Sequence, residues 1–394
     1  MRDEIVIVSA VRTAIGKFGG TLKDLNSGKL GALVIEEGVR RAGISPKMVD
    51  EVIMGEVRQS TESSNMARVA ALRAGIPETA TAYTVNRLCA SGMQAVASAV
   101  QQIAFGQADV VVAGGAESLS RSPIYLRNAR FGEGNPVIID SNLENGQQPI
   151  EIYGPNLGMG MTAENVAERY NISREEQDAF ALESQRRAAA AIRNHTFKNE
   201  IVPVEVKQKK KTILFDTDEF PRETSLEQLA ALKPAFKEGG TVTAGNACGR
   251  NDGAAALVLM SHQKAEELGC KPLAKVMDWA VSGVSPEMMG IGPVFAVRKL
   301  LKRTKMAMQD FGLIELNEAF AAQALAVIRD LNLDVEKLNV NGGAIALGHP
   351  LGATGARIMT TLLYEMMRRN EPYGLATLCV GGGQGMAIAI ELMN

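Results

Sequence analysis

Short apolar runs, each followed by a stretch with helical spacing, fill the first 118 residues and return after residue 254. Ile5–Ser9, Glu51–Val57, Ala82–Asn86 and Asp109–Ala113 read as strands. Leu30–Ala42, Met66–Ala74 and Ser91–Phe105 read as helices, the first and last closed by Gly43 and Gly106. This alternation is βαβ grammar and predicts a sheet covered by helices on both faces. In the C-terminal part, Ala254–Met260 and Leu273–Val281 read as strands, and Phe311–Leu316 leads into a helix over Glu318–Asp330. A strand over Leu338–Asn341 leads through a glycine-rich turn to a helix over Ala353–Met367, and the strands Leu375–Val380 and Gly385–Leu392 follow.

The intervening stretch, Leu119 to Gly249, is richer in Pro, Asn, Gly and charge and sparse in strands. Ser173 and Glu176 form a capping-box pattern that opens a helix to about Arg193. Lys207 to Lys211, broken by Gln208, reads as a solvated hairpin. The two alternating parts resemble each other. Val85-Asn86, a helix and Val110–Gly115 correspond to Val340-Asn341, a helix and Leu378–Gly383; Asp50–Val57 corresponds to Asp310–Leu316. The expected division is one half over 1–118 with 250–272, an inserted loop domain over 119–249, and a second half over 273–394. The two halves would stack as related sheets; a single long sheet is the alternative.

The chain has 394 residues, long enough for two or three compact units. A net charge of -2 gives no support for nucleic-acid binding. No run of 18 apolar residues predicts a membrane span, and the start, Met-Arg-Asp-Glu, lacks signal-peptide character, so a cytoplasmic location is expected. The four cysteines include no CxxC pair, which signals neither zinc nor a thioredoxin-type site. Free thiols then need a packing or a chemical reason.

Four residues are candidates for chemistry. Cys89 lies between a strand and a small-residue helix, where the helix dipole and free N–H groups favour a thiolate; a buried structural cysteine is the alternative. His349, one of three histidines, lies in the densest glycine turn, whereas His195 and His262 have polar, helix-end contexts. Cys379 precedes Gly381-Gly-Gly-Gln-Gly385, a turn able to offer N–H groups to an oxyanion, though it also suits a small core residue. Asn317 opens a predicted helix and reads equally as its N-cap. The glycine-rich segments raise a nucleotide-binding alternative, but neither GxxxxGK[ST] nor GxGxxG after the first strand is present.

Taken together, these blocks change the weights. Val85–Met93 (Val-Asn-Arg-Leu-Cys-Ala-Ser-Gly-Met), Gly114–Ser118, Thr241–Asn246, Asn251–Ala254, Asn317–Phe320, Asn341–Gly355 and Leu378–Gly385 stand in the order of the thiolase family. The chain resembles that family along essentially its whole length. The resemblance implies the five-layered αβαβα fold, in two repeated halves with an inserted loop domain, and a dimer or tetramer in which Ser120–Val137 supplies a tetramer-forming loop.

The chemistry implied is reversible Claisen condensation and thiolytic cleavage of acyl-CoA thioesters, with acetoacetyl-CoA and acetyl-CoA foremost. By resemblance Cys89 carries the acyl group, His349 accepts its proton, and Cys379 moves the α-proton. Asn317 holds a water that joins His349 in one oxyanion hole, and the backbone N–H groups of Cys89 and Gly381 form the other. Coenzyme A is substrate or product, with no permanently bound cofactor and no metal. Arg222 would flank its nucleotide end; Met159, Ala244, Ala319 and Phe320 would line the pantetheine channel, with Cys248 where a small polar Ser is usual. Gly158 stands where biosynthetic relatives often carry His. The rival readings are a 3-ketoacyl-CoA thiolase for longer chains in fatty-acid breakdown, a decarboxylating ketoacyl synthase, which usually pairs two histidines with one cysteine, and a non-catalytic acyl-CoA- or lipid-binding protein.

Overall fold

A computed structural model describes residues 4–132, 134–208 and 211–393. Met1–Asp3 and Asn394 at the ends, Lys209 and Lys210 of the basic run, and Glu133 of the expected tetramer loop lie outside the described residues.

Eleven strands form one sheet; nine of them lie in a single order made of two similar halves, and Gly16–Lys17 and Ile201–Val202 pair beside it with Asn251–Ser261 and Ile5–Thr13. From its centre outward, the first half runs Ile5–Thr13, Asn251–Ser261, Val110–Ser118, Glu51–Gly55, Thr81–Val85. The second runs Ala274–Gly283, Gln384–Leu392, Tyr373–Val380, Leu313–Leu316. In both, the two inner pairings are antiparallel and the outer ones parallel. The predicted repeat is therefore a repeat of topology. One of its strands is reduced: Leu338–Asn341 makes only a bridge from Leu338 to Ile314, where Thr81–Val85 pairs in full. The halves join through Val6–Lys275 and Ile7–Ala274, so hydrogen bonding continues from one to the other.

The apolar runs are continuous because both faces of each strand are covered. Val110 and Val112 face the helices Ser27–Ala42 and Met66–Arg73, whereas Val111 and Ala113 face the interior. On the other half, Ala387 and Ala389 pack with Gly292–Thr304 and Ala321–Leu331, whereas Met386, Ile388 and Ile390 face the interior. That interior core also contains Met93, Val96, Ile358 and Leu362, from the helices Ser91–Ala104 and Leu351–Arg369. The result is five layers, helix–sheet–helix–sheet–helix, with two helices buried in the middle.

The 119–249 stretch lies mostly outside the sheet. It contributes the helices Met159–Arg169 and Arg174–Arg193, the second opened by the predicted capping box of Ser173 and Glu176. It also carries the hairpins Ile124–Arg127 with Val137–Asp140 and Val204–Gln208 with Lys211–Phe215. Arg12, wholly buried on the first strand, anchors this stretch by pairing with Glu200 at 2.5 Å and Asp218 at 2.8 Å. Removing one partner of such a pair leaves an uncompensated buried charge and costs about 3–5 kcal/mol. Among the described residues, no helix is long and apolar enough to cross a membrane.

Candidate active site

The two middle-layer helices meet at their N-terminal turns, and glycine makes the approach possible. A Cβ at Gly355 would lie 2.3 Å from the Met93 nitrogen, and on the strand beneath, one at Gly115 would lie 1.9 Å from the carbonyl oxygen of Gly352. One at Gly92 would lie 2.8 Å from the Ala356 nitrogen. Cys89 precedes the first helix by two residues and His349 precedes the second by two. Close backbone packing thus brings a residue from each half to one place. The turn into the first helix is also strained: Leu88 has φ 45°, in the left-handed region that a branched side chain rarely occupies. Asn86 Oδ1 accepts from the Leu88 N–H at 2.9 Å, and Ser91 Oγ accepts from the Arg87 N–H at 2.9 Å, holding that turn.

His349 is buried. Its backbone N–H donates to Asn251 Oδ1 at 2.9 Å, and its Nδ1 lies 2.7 Å from Thr354 Oγ1. The Thr354 hydroxyl already donates to the Pro350 carbonyl at 2.9 Å, so it accepts from Nδ1–H. That tautomer leaves Nε2 as a lone pair, 3.5 Å from Asn317 Nδ2. Burial, with the Arg357 guanidinium adding to it, pushes the imidazole down to about 3. His349 is therefore a neutral ring with its basic nitrogen facing the site. The Asn317 Oδ1 has no hydrogen-bond partner among the described residues. Asn317 is not a helix cap: the helix after it starts only at Ala321. The difference arises because the Asn317 N–H is taken by the Thr377 carbonyl at 3.0 Å, continuing the strand pairing.

Three thiols lie close enough to act on one another. Cys89 and Cys248 are half-buried and Cys379 is buried. Burial pushes the Cys89 thiol up to about 11, although the N–H groups of Gly381 and Cys89 itself favour its thiolate. The direction is opposite to the expectation of a lowered thiol: desolvation outweighs those two N–H groups, and Glu117 adds to it. Cys379 is pushed well above its usual range by burial and by Cys89 and Cys248. Cys248 is held up to about 12, chiefly by burial. Gly382 and Gly383 have φ of 75° and 83°, giving the turn that aims the Gly381 N–H at Cys89.

The residues expected along the pantetheine channel divide in two. Met159, Ala319, Phe320 and Cys379 share one apolar cluster, and the Cys248 N–H donates to the Ala319 carbonyl at 3.0 Å. Arg222 and Ala244 lie on the exposed rim, where Arg222 Nη2 donates to the Ala244 carbonyl at 2.8 Å. Gly158 stands at the start of the helix Met159–Arg169, beside Asn145. Among the described residues no three His, Cys, Asp or Glu side chains are grouped to hold a metal.

Comparison with known proteins agrees with this geometry. Residues 5–263 match the thiolase N-terminal domain and residues 270–392 the thiolase C-terminal domain. The chain belongs to the thiolase family. It is 51% identical to an acetyl-CoA acetyltransferase of Syntrophomonas wolfei, covering 100% of both chains. It is 52% identical to that of Escherichia coli K12, covering 99% of each. Among solved structures, the Bacillus anthracis acetyl-CoA acetyltransferase superposes with TM-score 0.96 at 49% identity, over 100% of this chain and 99% of that one. Human mitochondrial 3-ketoacyl-CoA thiolase in complex with CoA gives 0.94 at 43%, over 100% and 98%.

Four residues of this thiolase site escaped the reading of the sequence as individuals: Leu88, Glu117, Asn251 and Thr354. Asn251 Oδ1 receives the His349 N–H while its Nδ2 donates to the Gly16 carbonyl at 3.0 Å, tying the histidine turn to the first strand's end. Thr354 had a signal, as a hydroxyl in the first helical turn after a histidine. Leu88 had none, because its unusual φ is imposed by its neighbours.

Proposed function

We propose that this thiolase catalyses the reversible condensation of acetyl-CoA to acetoacetyl-CoA and its thiolytic cleavage, through an acyl group carried on Cys89. The His349 tautomer, with Nδ1–H held by Thr354 and Nε2 left as a lone pair, is the observation that carries this reading. Cys89 gives its proton to Nε2, and its sulfur attacks the thioester carbonyl. The bond to CoA breaks, and the departing sulfur takes a proton from Cys379. The Cys379 thiolate then removes an α-proton from the second acetyl-CoA. A thiol whose ordinary range has been raised is the stronger base once ionised. The enolate attacks the acyl carbon, the Cys89–acyl bond breaks, and Cys89 recovers its proton from His349, restoring both thiols.

Two oxyanions form on this route. The N–H groups of Cys89 and Gly381 serve the acyl carbonyl. The protonated His349 Nε2 serves the enolate, together with a water held by Asn317. Arg222, Ala244, Cys248, Met159, Ala319 and Phe320 receive coenzyme A from the rim inward. The full-length likeness to acetyl-CoA acetyltransferases supports the short-chain substrate. The test is cleavage of acetoacetyl-CoA by free CoA: Cys89→Ala should abolish it while CoA still binds. Wild-type turnover in that mutant would end this reading, and an acetyl adduct found only on Cys379 would reverse the roles of the two thiols.

We also propose the three-part division at 119 and 249–250, with the second half from 273, a cytoplasmic enzyme, and a homo-oligomer, dimer or tetramer. The assembly is supported by the exposed hairpin Ile124–Arg127 with Val137–Asp140, where Ile124 and Ile138 are 69% and 75% exposed. Elution as a monomer in gel filtration would contradict it. The alternative reading, a 3-ketoacyl-CoA thiolase for longer chains in fatty-acid breakdown, is supported by the likeness to a human mitochondrial 3-ketoacyl-CoA thiolase. A kcat/KM series over ketoacyl-CoA chain lengths tests it; turnover confined to the shortest chain would reject it.

A further inference from the structure

Glu117 lies at the end of the strand Val110–Ser118, fully buried, and the chemistry above gives it no part. Its Oε2 accepts from the backbone N–H of Val57 at 3.0 Å and of Gly352 at 2.7 Å; its Oε1 accepts from that of Arg58 at 2.9 Å. Three donors and no acceptor form the partner set of a carboxylate rather than of an acid. The donors come from both halves. Val57 and Arg58 follow the strand Glu51–Gly55 of the first, and Gly352 lies in the opening turn of the Leu351–Arg369 helix of the second. That helix begins after Pro350, which offers it no side-chain cap. A carboxylate from a strand 235 residues away satisfies one of its free N–H groups and complements its dipole.

The same carboxylate also acts electrostatically on the nucleophile. Glu117 and Arg58 are the charged side chains that act on the Cys89 thiol, and Cys248 and Cys379 are the thiols near it. The neighbouring Glu56 is pushed up to about 8, mainly by burial and further by Glu117. Burial raises Glu117 as well, and its three backbone N–H donors oppose that by favouring the charged form.

We propose that Glu117 is a positioning residue for acyl transfer: one carboxylate bridges the Val57–Arg58 turn to the start of the Leu351–Arg369 helix, and so sets His349 against Cys89. The proposal rests on the Cys89–His349 reading given above. A supporting group of this kind acts by holding reacting atoms in line, and small misplacements cost up to roughly 100-fold in rate.

The experiment compares Glu117→Gln and Glu117→Asp in the full chain with wild type and Cys89→Ala. It measures kcat, KM for CoA, and the pH profile of Cys89 alkylation by iodoacetamide. Glu117→Gln should lower kcat roughly 10- to 100-fold, leave KM within about twofold, and move the alkylation profile to lower pH. Glu117→Asp keeps the charge but not the reach; it should lower kcat about tenfold with a near wild-type profile. A merely structural role would reduce the folded fraction without moving the profile of what remains, and that result overturns the proposal. So does wild-type kcat in both variants, or failure of both to fold. Turnover by Cys89→Ala would instead reject the underlying reading, independently of Glu117.

Discussion

Thr354 Oγ1 stands 2.7 Å from His349 Nδ1 and spends its own proton on the Pro350 carbonyl. The hydroxyl therefore fixes which imidazole nitrogen is basic. Replacing it with an apolar group of equal size removes the acceptor, and the ring loses its preference for Nδ1–H. Thr354→Val should lower kcat roughly 10- to 100-fold, the scale on which an orienting partner matters, while Thr354→Ser should stay near wild type. Steady-state kinetics of the two variants decide it; full activity in the valine variant would remove Thr354 from the mechanism.

The same histidine gives a pH dependence whose sign follows from its environment. In the folded chain His349 titrates at about 3, against an ordinary value of 6.5. The unfolded chain thus binds the extra proton first as pH falls. Its contribution to stability is complete above 6.5 and is lost progressively from there down towards 3, by at most about 1.4 kcal/mol per pH unit. Urea unfolding between pH 7.5 and 5 should show this loss in wild type and a smaller one in His349→Gln. Equal slopes in the two proteins would mean that His349 is already charged in the folded state.

Much of this site was readable in the sequence because its signals were local. Glycine-dense turns, apolar strand runs, the Ser173–Glu176 cap and the internal repeat all leave short-range marks, and all correspond to structure. The errors came where distant groups override local preference. Asn317 looks like a helix cap, but its N–H is drawn into strand pairing with Thr377. Leu338–Asn341 looks like a strand, yet pairs at a single residue. Cys89 does lie beside a helix start, but its thiol is raised because burial, invisible to neighbours in sequence, outweighs the N–H groups of Gly381 and Cys89. Glu117 belongs to the same class, since two of its three donors are about sixty residues away and the third 235.

A resting thiol at about 11 makes its own prediction. Iodoacetamide reacts with the thiolate, so inactivation of the free enzyme should keep accelerating above pH 9. A plateau below pH 8 would show that Cys89 is ionised at rest and that proton transfer to His349 is not needed to activate it.

The close seating of the Leu351–Arg369 helix on the strand Val110–Ser118 can be tested through glycine. Gly115→Ala puts a methyl carbon 1.9 Å from the Gly352 oxygen, and backbone on both sides leaves nothing flexible to yield. The variant should lose about 3 kcal/mol or more by urea unfolding. Gly146→Ala, where no atom lies within 4 Å, should change stability by less than about 0.5 kcal/mol. Similar values for both would deny that glycine enables this approach.

Cys248 offers the last test, because it lies both beside the reacting thiols and on the coenzyme A path. Its N–H is occupied by the Ala319 carbonyl, so the thiol is the donor of this residue left to meet a ligand. A thiol donates weakly and a hydroxyl well, at nearly the same position. If the side chain bonds the pantetheine arm, Cys248→Ser gains a hydrogen bond of about 1 kcal/mol, and KM for CoA should fall about fivefold with kcat nearly unchanged. A second effect accompanies it: Cys248 is one of the groups holding Cys379 high, and serine does not ionise in its place. The pH profile of kcat should therefore move slightly downward at its alkaline end. An unchanged KM would place the arm elsewhere, and a fall in kcat without change in KM would assign Cys248 to the reacting thiols instead of to the channel.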